Sequence, residues 1–241
     1  MTDAKRNIIS QLQKNIEVWE GFRPSAVDAV SSLGLGPVEA VFPNGIFPRG
    51  AVHEFLTGAP EHTAASSGFI AGLLAPLMQN GGACLWTGMA RTVFPLSIKA
   101  FGIEPDRIIF IDVQKEKDVL WVMEEALKCC GLAAVIAEVR DISFMQSRRL
   151  QLAVEQSKIT GFVIRKDAYK LDATACVARW KVTSLPAGTD DGLPGVGFPR
   201  WNVELLKVRN GNPGAWTVEW LAGRFNIINK EIAATILKKY A

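Results

Sequence analysis

Between positions 51 and 165 the chain alternates between apolar runs of strand length and longer stretches with helical periodicity, and this alternation narrows the fold class more than any other feature. Residues 51–56, 83–87, 107–112, 132–139 and 161–165 read as strands. Helices are expected between them. One runs through Phe69, Ile70, Leu73, Leu74, Leu77 and Met78, and a second covers 94–101. A third starts from an N-cap at Asp118 and reaches Leu127, and a fourth covers 144–157. Apolar strands joined by helices form a mostly parallel central sheet flanked by helices, an α/β fold.

The last third changes pattern. Residues 177–182, 200–206 and 215–220 read as strands, and Asn210, Gly211, Pro213 and Gly214 supply the turn that joins the last two as an antiparallel hairpin. The Gly/Pro/Asp-rich connection over 186–199 reads as mobile. Asn229 is placed to cap a short final helix, and Ile8, Leu12, Ile16 and Trp19 recur at helical spacing near the start. The expected organisation is an N-terminal helix and connecting segment over 1–44, a core with its hairpin over 45–222, and a C-terminal amphipathic helix over 223–241.

The 241 residues are 49% hydrophobic and 21% charged, which suits a sizeable folded core. A formal net charge of +3 does not establish nucleic-acid binding, although it leaves room for a local basic groove. No apolar run reaches the roughly 18 residues of a membrane span, and the first residues lead into a polar amphipathic stretch. The chain is therefore expected in the cytoplasm, with no membrane partner. Cys84, Cys129, Cys130 and Cys176 form no Cys-x-x-Cys pair, and the only histidines are His53 and His62. No metal or other cofactor is expected, and the thiols should be reduced and mostly buried.

The Gly-containing loop expected over 57–67, between a strand and a helix, has the setting of a phosphate-binding loop, which needs Gly-x-x-x-x-Gly-Lys-Ser/Thr. The second Gly lets the backbone curl around the phosphates, the Lys neutralises them and the hydroxyl holds Mg²⁺. Counting from Gly58, those three positions hold Thr63, Ala64 and Ala65. With Gly68 as the second Gly, Phe69 stands at the Lys. Each lost charge-assisted hydrogen bond is worth about 1.5–3 kcal/mol, so nucleotide affinity should fall by orders of magnitude. The end of the second strand, Trp86-Thr87-Gly88-Met89-Ala90, offers no carboxylate to activate water. Glu138 ends the strand over 132–139, where it is either a metal-linked acid or a partner for Arg140 or Arg165. Glu61 and His62 resemble an acid–base pair but have no nucleophile or second carboxylate beside them in sequence.

On these elements, residues 45–142 resemble the core of the RecA recombinases: turn, strand ending in Glu54, degenerate loop, helix, then strands in the same order. Four segments are more specific and resemble the ImuA family of RecA-like mutagenesis proteins. They are Ala51-Val52-His53-Glu54, the stretch Asp118-Val119-Leu120-Trp121-Val122-Met123-Glu124-Glu125-Ala126-Leu127, the stretch Ser147-Arg148-Arg149-Leu150-Gln151-Leu152-Ala153, and residues 199–211. The similarity covers about residues 38–222, leaving the terminal helices outside. It implies a non-catalytic adaptor in SOS-induced error-prone translesion synthesis. The implied partners are an ImuB-type inactive polymerase homologue and a specialised replicative-type polymerase. RecA, DNA and a second copy of the chain are further candidates. Two competing readings stay open: a RecA-like DNA-dependent ATPase with an atypical loop, and a cell-division inhibitor like SulA. The SulA family is shorter and has no need of a hairpin spanning 200–220.

Recombinases of this shape face DNA with the loops at one sheet edge, so Arg148, Arg149, Arg165 and Lys166 are candidate phosphate contacts, with surface solubility as the alternative. Trp180 and Trp201, each after an Arg, either stack on bases or belong to the core. In the final helix Ile232, Ile236 and Tyr240 share a face beside Lys238 and Lys239. That face either docks in a partner's groove or packs on its own core.

Overall fold

The computed structural model describes residues 32–166, 172–188 and 197–229. The expected N-terminal helix, and the C-terminal helix carrying Ile232, Ile236, Lys238, Lys239 and Tyr240, lie outside the described residues. The strands are β1 (Val52–Thr57), β2 (Ala83–Gly88), β3 (Ile108–Asp112), β4 (Leu132–Val139), β5 (Thr160–Lys166), β6 (Ala178–Gly188), β7 (Phe198–Val208), β8 (Gly214–Leu221) and β9 (Arg224–Asn229). The helices are α1 (Pro60–Leu77), α2 (Glu116–Ala126) and α3 (Phe144–Ser157). All the strands join one sheet in the order β3-β2-β4-β5-β1-β6-β7-β8-β9. Neighbours from β3 to β6 run parallel, and those from β6 to β9 run antiparallel.

Strand alternation sorts side chains onto two faces of this sheet. On one face Val52, Leu85, Val135, Ala137 and Val163 pack with Val119, Met123, Leu150 and Val154 of α2 and α3. On the other lies an aromatic core built from Phe55, Phe69, Phe162, Trp180 and Trp201, covered by α1. Glycines let α1 approach closely on that side. A Cβ added at Gly72 would lie 2.4 Å from Cζ of Phe225, and one at Gly68 would lie 3.2 Å from Cζ2 of Trp201. Each glycine gives up about 1 kcal/mol of helix propensity relative to alanine. In return, rings from β7 and β9 seat directly against the helix backbone.

Several elements depart from the sequence reading. The expected loop over 57–67 is mostly helix, because α1 starts at Pro60. Proline suits a first helical turn, where its missing N–H has no intrahelical partner, and Glu61 faces the positive end of the helix dipole. Asp118 lies inside the first turn of α2, whose N-cap is Lys115. The helix expected over 94–101 is a 3-10 turn, Pro95–Phe101. Cys129 and Cys130 are exposed, and only Cys84 and Cys176 are buried.

The C-terminal hairpin is part of a longer antiparallel meander. Leu221 pairs with Arg224 across a two-residue turn, Ala222-Gly223, with φ of 52° and 74°. Positive φ at both central residues matches the twist of the flanking strands. Asn229 is the last residue of β9, and the helix it was expected to cap lies outside the described residues. By contrast, α3 has the expected bounds, set by a capping box in which the Ser143 hydroxyl accepts from the Gln146 N–H and the Gln146 side chain accepts from the Ser143 N–H.

Candidate functional site

The carboxyl ends of the parallel strands β1 and β5, at Thr57 and Lys166, border a cleft of about 1040 Å³ bounded by α1, residues 92–101 and the facing parts of β6 and β7. In open α/β sheets this edge is where ligands bind. Two residues, Gly58 and Ala59, separate β1 from α1, so no loop is long enough to wrap a phosphate chain. Thr63 lies in α1, where its hydroxyl donates to Oγ1 of Thr57 at 3.0 Å and closes the connection. Ala64 and Ala65 are further along the same helix and line the cleft, as does the exposed Glu61.

Glu138 ends β4 with its carboxylate held from three directions. Oε1 accepts from Nε1 of Trp86 at 2.7 Å and from Oγ1 of Thr92 at 2.6 Å. Oε2 meets the Lys166 ammonium at 2.5 Å. The side chain is buried, and the Lys166 ammonium supplies the opposite charge. Neither Arg140 nor Arg165 is its partner. Glu138 stands level with Ile164 on β5, so Lys166, two residues on, shares its face while Arg165 points to the other.

On that opposite face Glu54, fully buried in β1, anchors a charge network. Its Oε1 accepts from Nη1 of Arg165 at 2.5 Å, and its Oε2 accepts from Nε of Arg179 and Oγ1 of Thr174, both at 2.8 Å. Arg165 also pairs with Asp141 in the turn before α3. Sequence reasoning missed this network. The available signal was a charge embedded in each of three apolar strands, because buried charges require partners.

The four basic candidates are therefore not one patch. Arg165 is 1% exposed and committed to carboxylates, which removes it from any phosphate-contacting surface. Lys166 lies on the α1 face beside Glu138. Arg148 and Arg149 are exposed on α3, and Arg149 pairs with Glu124 of α2 at 2.6 Å. Trp180 is fully buried, stacked on Phe55 with ring centroids 5.9 Å apart, so it offers no face to a base. Trp201 is also buried, at the cleft wall.

His53 belongs to the same aromatic core. Its ring lies parallel to Phe47 with centroids 4.4 Å apart. Nε2 donates to the Pro48 carbonyl at 2.7 Å, which leaves Nδ1 to accept from Nε1 of Trp180 at 3.3 Å. Burial pulls the imidazole from 6.5 down to about 4, against the opposing effect of the Pro48 hydrogen bond. Between those values the unfolded chain binds the proton and the folded chain does not. Stability from this ring is thus complete above 6.5 and is lost as pH falls toward 4, by about 3 kcal/mol. Urea unfolding at a series of pH values should reveal that slope, and a His53→Gln variant should lack this part of it. Equal slopes in the two proteins would contradict the assignment.

No described helix is long and apolar enough to cross a membrane. No family model matches the chain. Over 203 residues it is 32% identical to Protein ImuA of Caulobacter vibrioides strain NA1000 / CB15N, covering 79% of this chain and 83% of the relative. Identity and coverage are the same for Protein ImuA of strain ATCC 19089 / CIP 103742 / CB 15. Among solved structures, the crystal structure of the RadB recombinase matches with a TM-score of 0.56 and 13% identity, covering 82% of this chain and 99% of that one. At that identity the likeness establishes a RecA-like fold.

Proposed function

The chain belongs to the ImuA family, and on that premise we propose that it is a non-catalytic RecA-fold adaptor in SOS-induced error-prone translesion DNA synthesis. The observation that carries the reading is the state of the nucleotide site. Helix α1 begins two residues after β1, and the acid that ends β4 is neutralised by the chain's own Lys166. A RecA-type ATPase needs a phosphate-wrapping loop and an acid available to a metal; here the first is replaced by helix and the second is occupied. The partners in this reading are an ImuB-type inactive polymerase homologue and a specialised replicative-type polymerase, with the chain acting in the cytoplasm.

Damage-induced mutagenesis tests it. Deleting the gene should abolish ultraviolet-induced mutation, and the wild-type chain should restore it. A double variant, Glu138→Gln with Lys166→Met, removes both members of the pair together and so leaves no buried charge unmatched. It is expected to restore mutagenesis as well as the wild type does. A double variant that folds but fails to restore would assign chemistry to this site.

A further inference from the structure

We propose that Cys129 and Cys130 form a surface dithiol site, which a low-molecular-weight disulfide oxidises reversibly and which disturbs the entries to β2 and β4 when it closes.

The two thiols are consecutive and both exposed, just after α2 ends at Ala126. They open a four-residue turn closed by the Leu132 N–H, which donates to the Cys129 carbonyl at 3.1 Å. Gly131 follows them, and a Cβ built there would meet nothing within 4 Å, so a small reagent reaches the turn unobstructed. The Cys129 thiol leans back on the Glu125 carbonyl at 3.5 Å, a weak bond that is easily given up. The other cysteines supply the contrast. Cys84 and Cys176 are buried, and desolvation holds the first thiol well above its ordinary range and pushes the second up to about 12. Thiol exchange needs a thiolate that the reagent can touch, so of the four cysteines the exposed pair qualifies.

The chemistry runs in two exchanges. The thiolate of one cysteine attacks a sulfur of the small disulfide, forming a mixed disulfide and releasing one thiol. The second cysteine's thiolate then attacks the protein sulfur of that adduct, closing the Cys129–Cys130 bond and releasing the other thiol. The protein gives up two electrons and two protons, and the small disulfide becomes two thiols.

Covalent geometry makes the product easy to reverse. Neighbouring Cα atoms lie about 3.8 Å apart, inside the roughly 4.4–6.8 Å that a relaxed disulfide spans. The closed ring is therefore strained, and a strained, exposed disulfide is readily reduced. The strain falls on a turn that two strands depend on. The Gly131 carbonyl accepts from the N–H of Ala83, the first residue of β2, at 3.2 Å, and Leu132 opens β4. The register of β2 against β4 already shifts between Ala83 and Cys84, so this corner of the sheet has irregular pairing to lose. Closing the bond loosens both strand entries.

The test treats the purified full chain with oxidised glutathione, alkylates the remaining thiols and weighs the peptides. The wild type is expected to end with the internal bond, and reduced glutathione should restore both thiols. Cys129→Ser and Cys130→Ser each lack the second thiol, so each should hold at least about tenfold more glutathione adduct than the wild type. Hydrogen exchange at the Ala83 and Leu132 amides should rise on oxidation and return on reduction. The proposal is overturned if the pair does not react, or if the wild type keeps as much adduct as the single variants, which would make the thiols independent. A product that is mainly a disulfide between two chains, or unchanged exchange at Ala83 and Leu132, would overturn it equally.

Discussion

Replacing Glu54 by alanine is expected to lower the unfolding free energy by about 3–5 kcal/mol, because it removes one side of a buried ion pair and leaves the other charged. Two guanidinium groups, from Arg165 and Arg179, converge on this carboxylate from the strands on either side of β1. Without it, Arg165 keeps only Asp141 among its described carboxylate partners, and that acid is largely in water. Truncating Asp141 should cost far less, since an exposed acid adds about 1 kcal/mol or less. The network also ties the turn before α3 to the middle of the sheet. Hydrogen exchange in that turn should therefore rise in Glu54→Ala along with the loss of global stability measured in urea. A loss below about 1 kcal/mol would mean that the network is solvated rather than buried.

Trp180→Ala is expected to cost a similar amount, about 3–5 kcal/mol, through a different mechanism. The indole sits among Phe42, Phe47, Phe55 and Phe69, with ring centroids between 5.7 and 6.3 Å away. Its removal leaves a cavity at the junction of β1, β6 and α1 and takes away the donor to Nδ1 of His53. Trp180→Phe separates the two effects. It keeps most of the ring contacts and loses the hydrogen bond, so about 1–3 kcal/mol should remain as the cost of the orphaned acceptor. Thermal unfolding of the two variants side by side measures the division. Equal losses would assign the whole effect to the hydrogen bond.

What could be read from sequence depended on whether a signal was local. Strand β4 and helix α3 were legible to the residue, since the first is an apolar run after Gly131 and the second opens on its own capping box. The start of α1 was misread because the stretch was matched to a phosphate-loop template, although Pro60 and Glu61 are ordinary helix-start residues. Strand β9 was missed because Ala222-Gly223 lacks the Asn-Gly signature of a two-residue turn. The pairings of Glu54 with Arg179 and of Glu138 with Lys166 depend on strand order and register, which no spacing within one segment contains. The departure from the phosphate-loop motif was visible in Thr63, Ala64 and Ala65; the helix that begins two residues after β1 and the cleft beside it were not.

ATP binding and DNA-stimulated hydrolysis by the purified full chain test the central claim most directly. The site described here predicts no saturable binding up to millimolar ATP, and no turnover with or without single-stranded DNA. Robust turnover that Glu138→Gln abolishes would contradict it, and would return the β4 acid to a catalytic role.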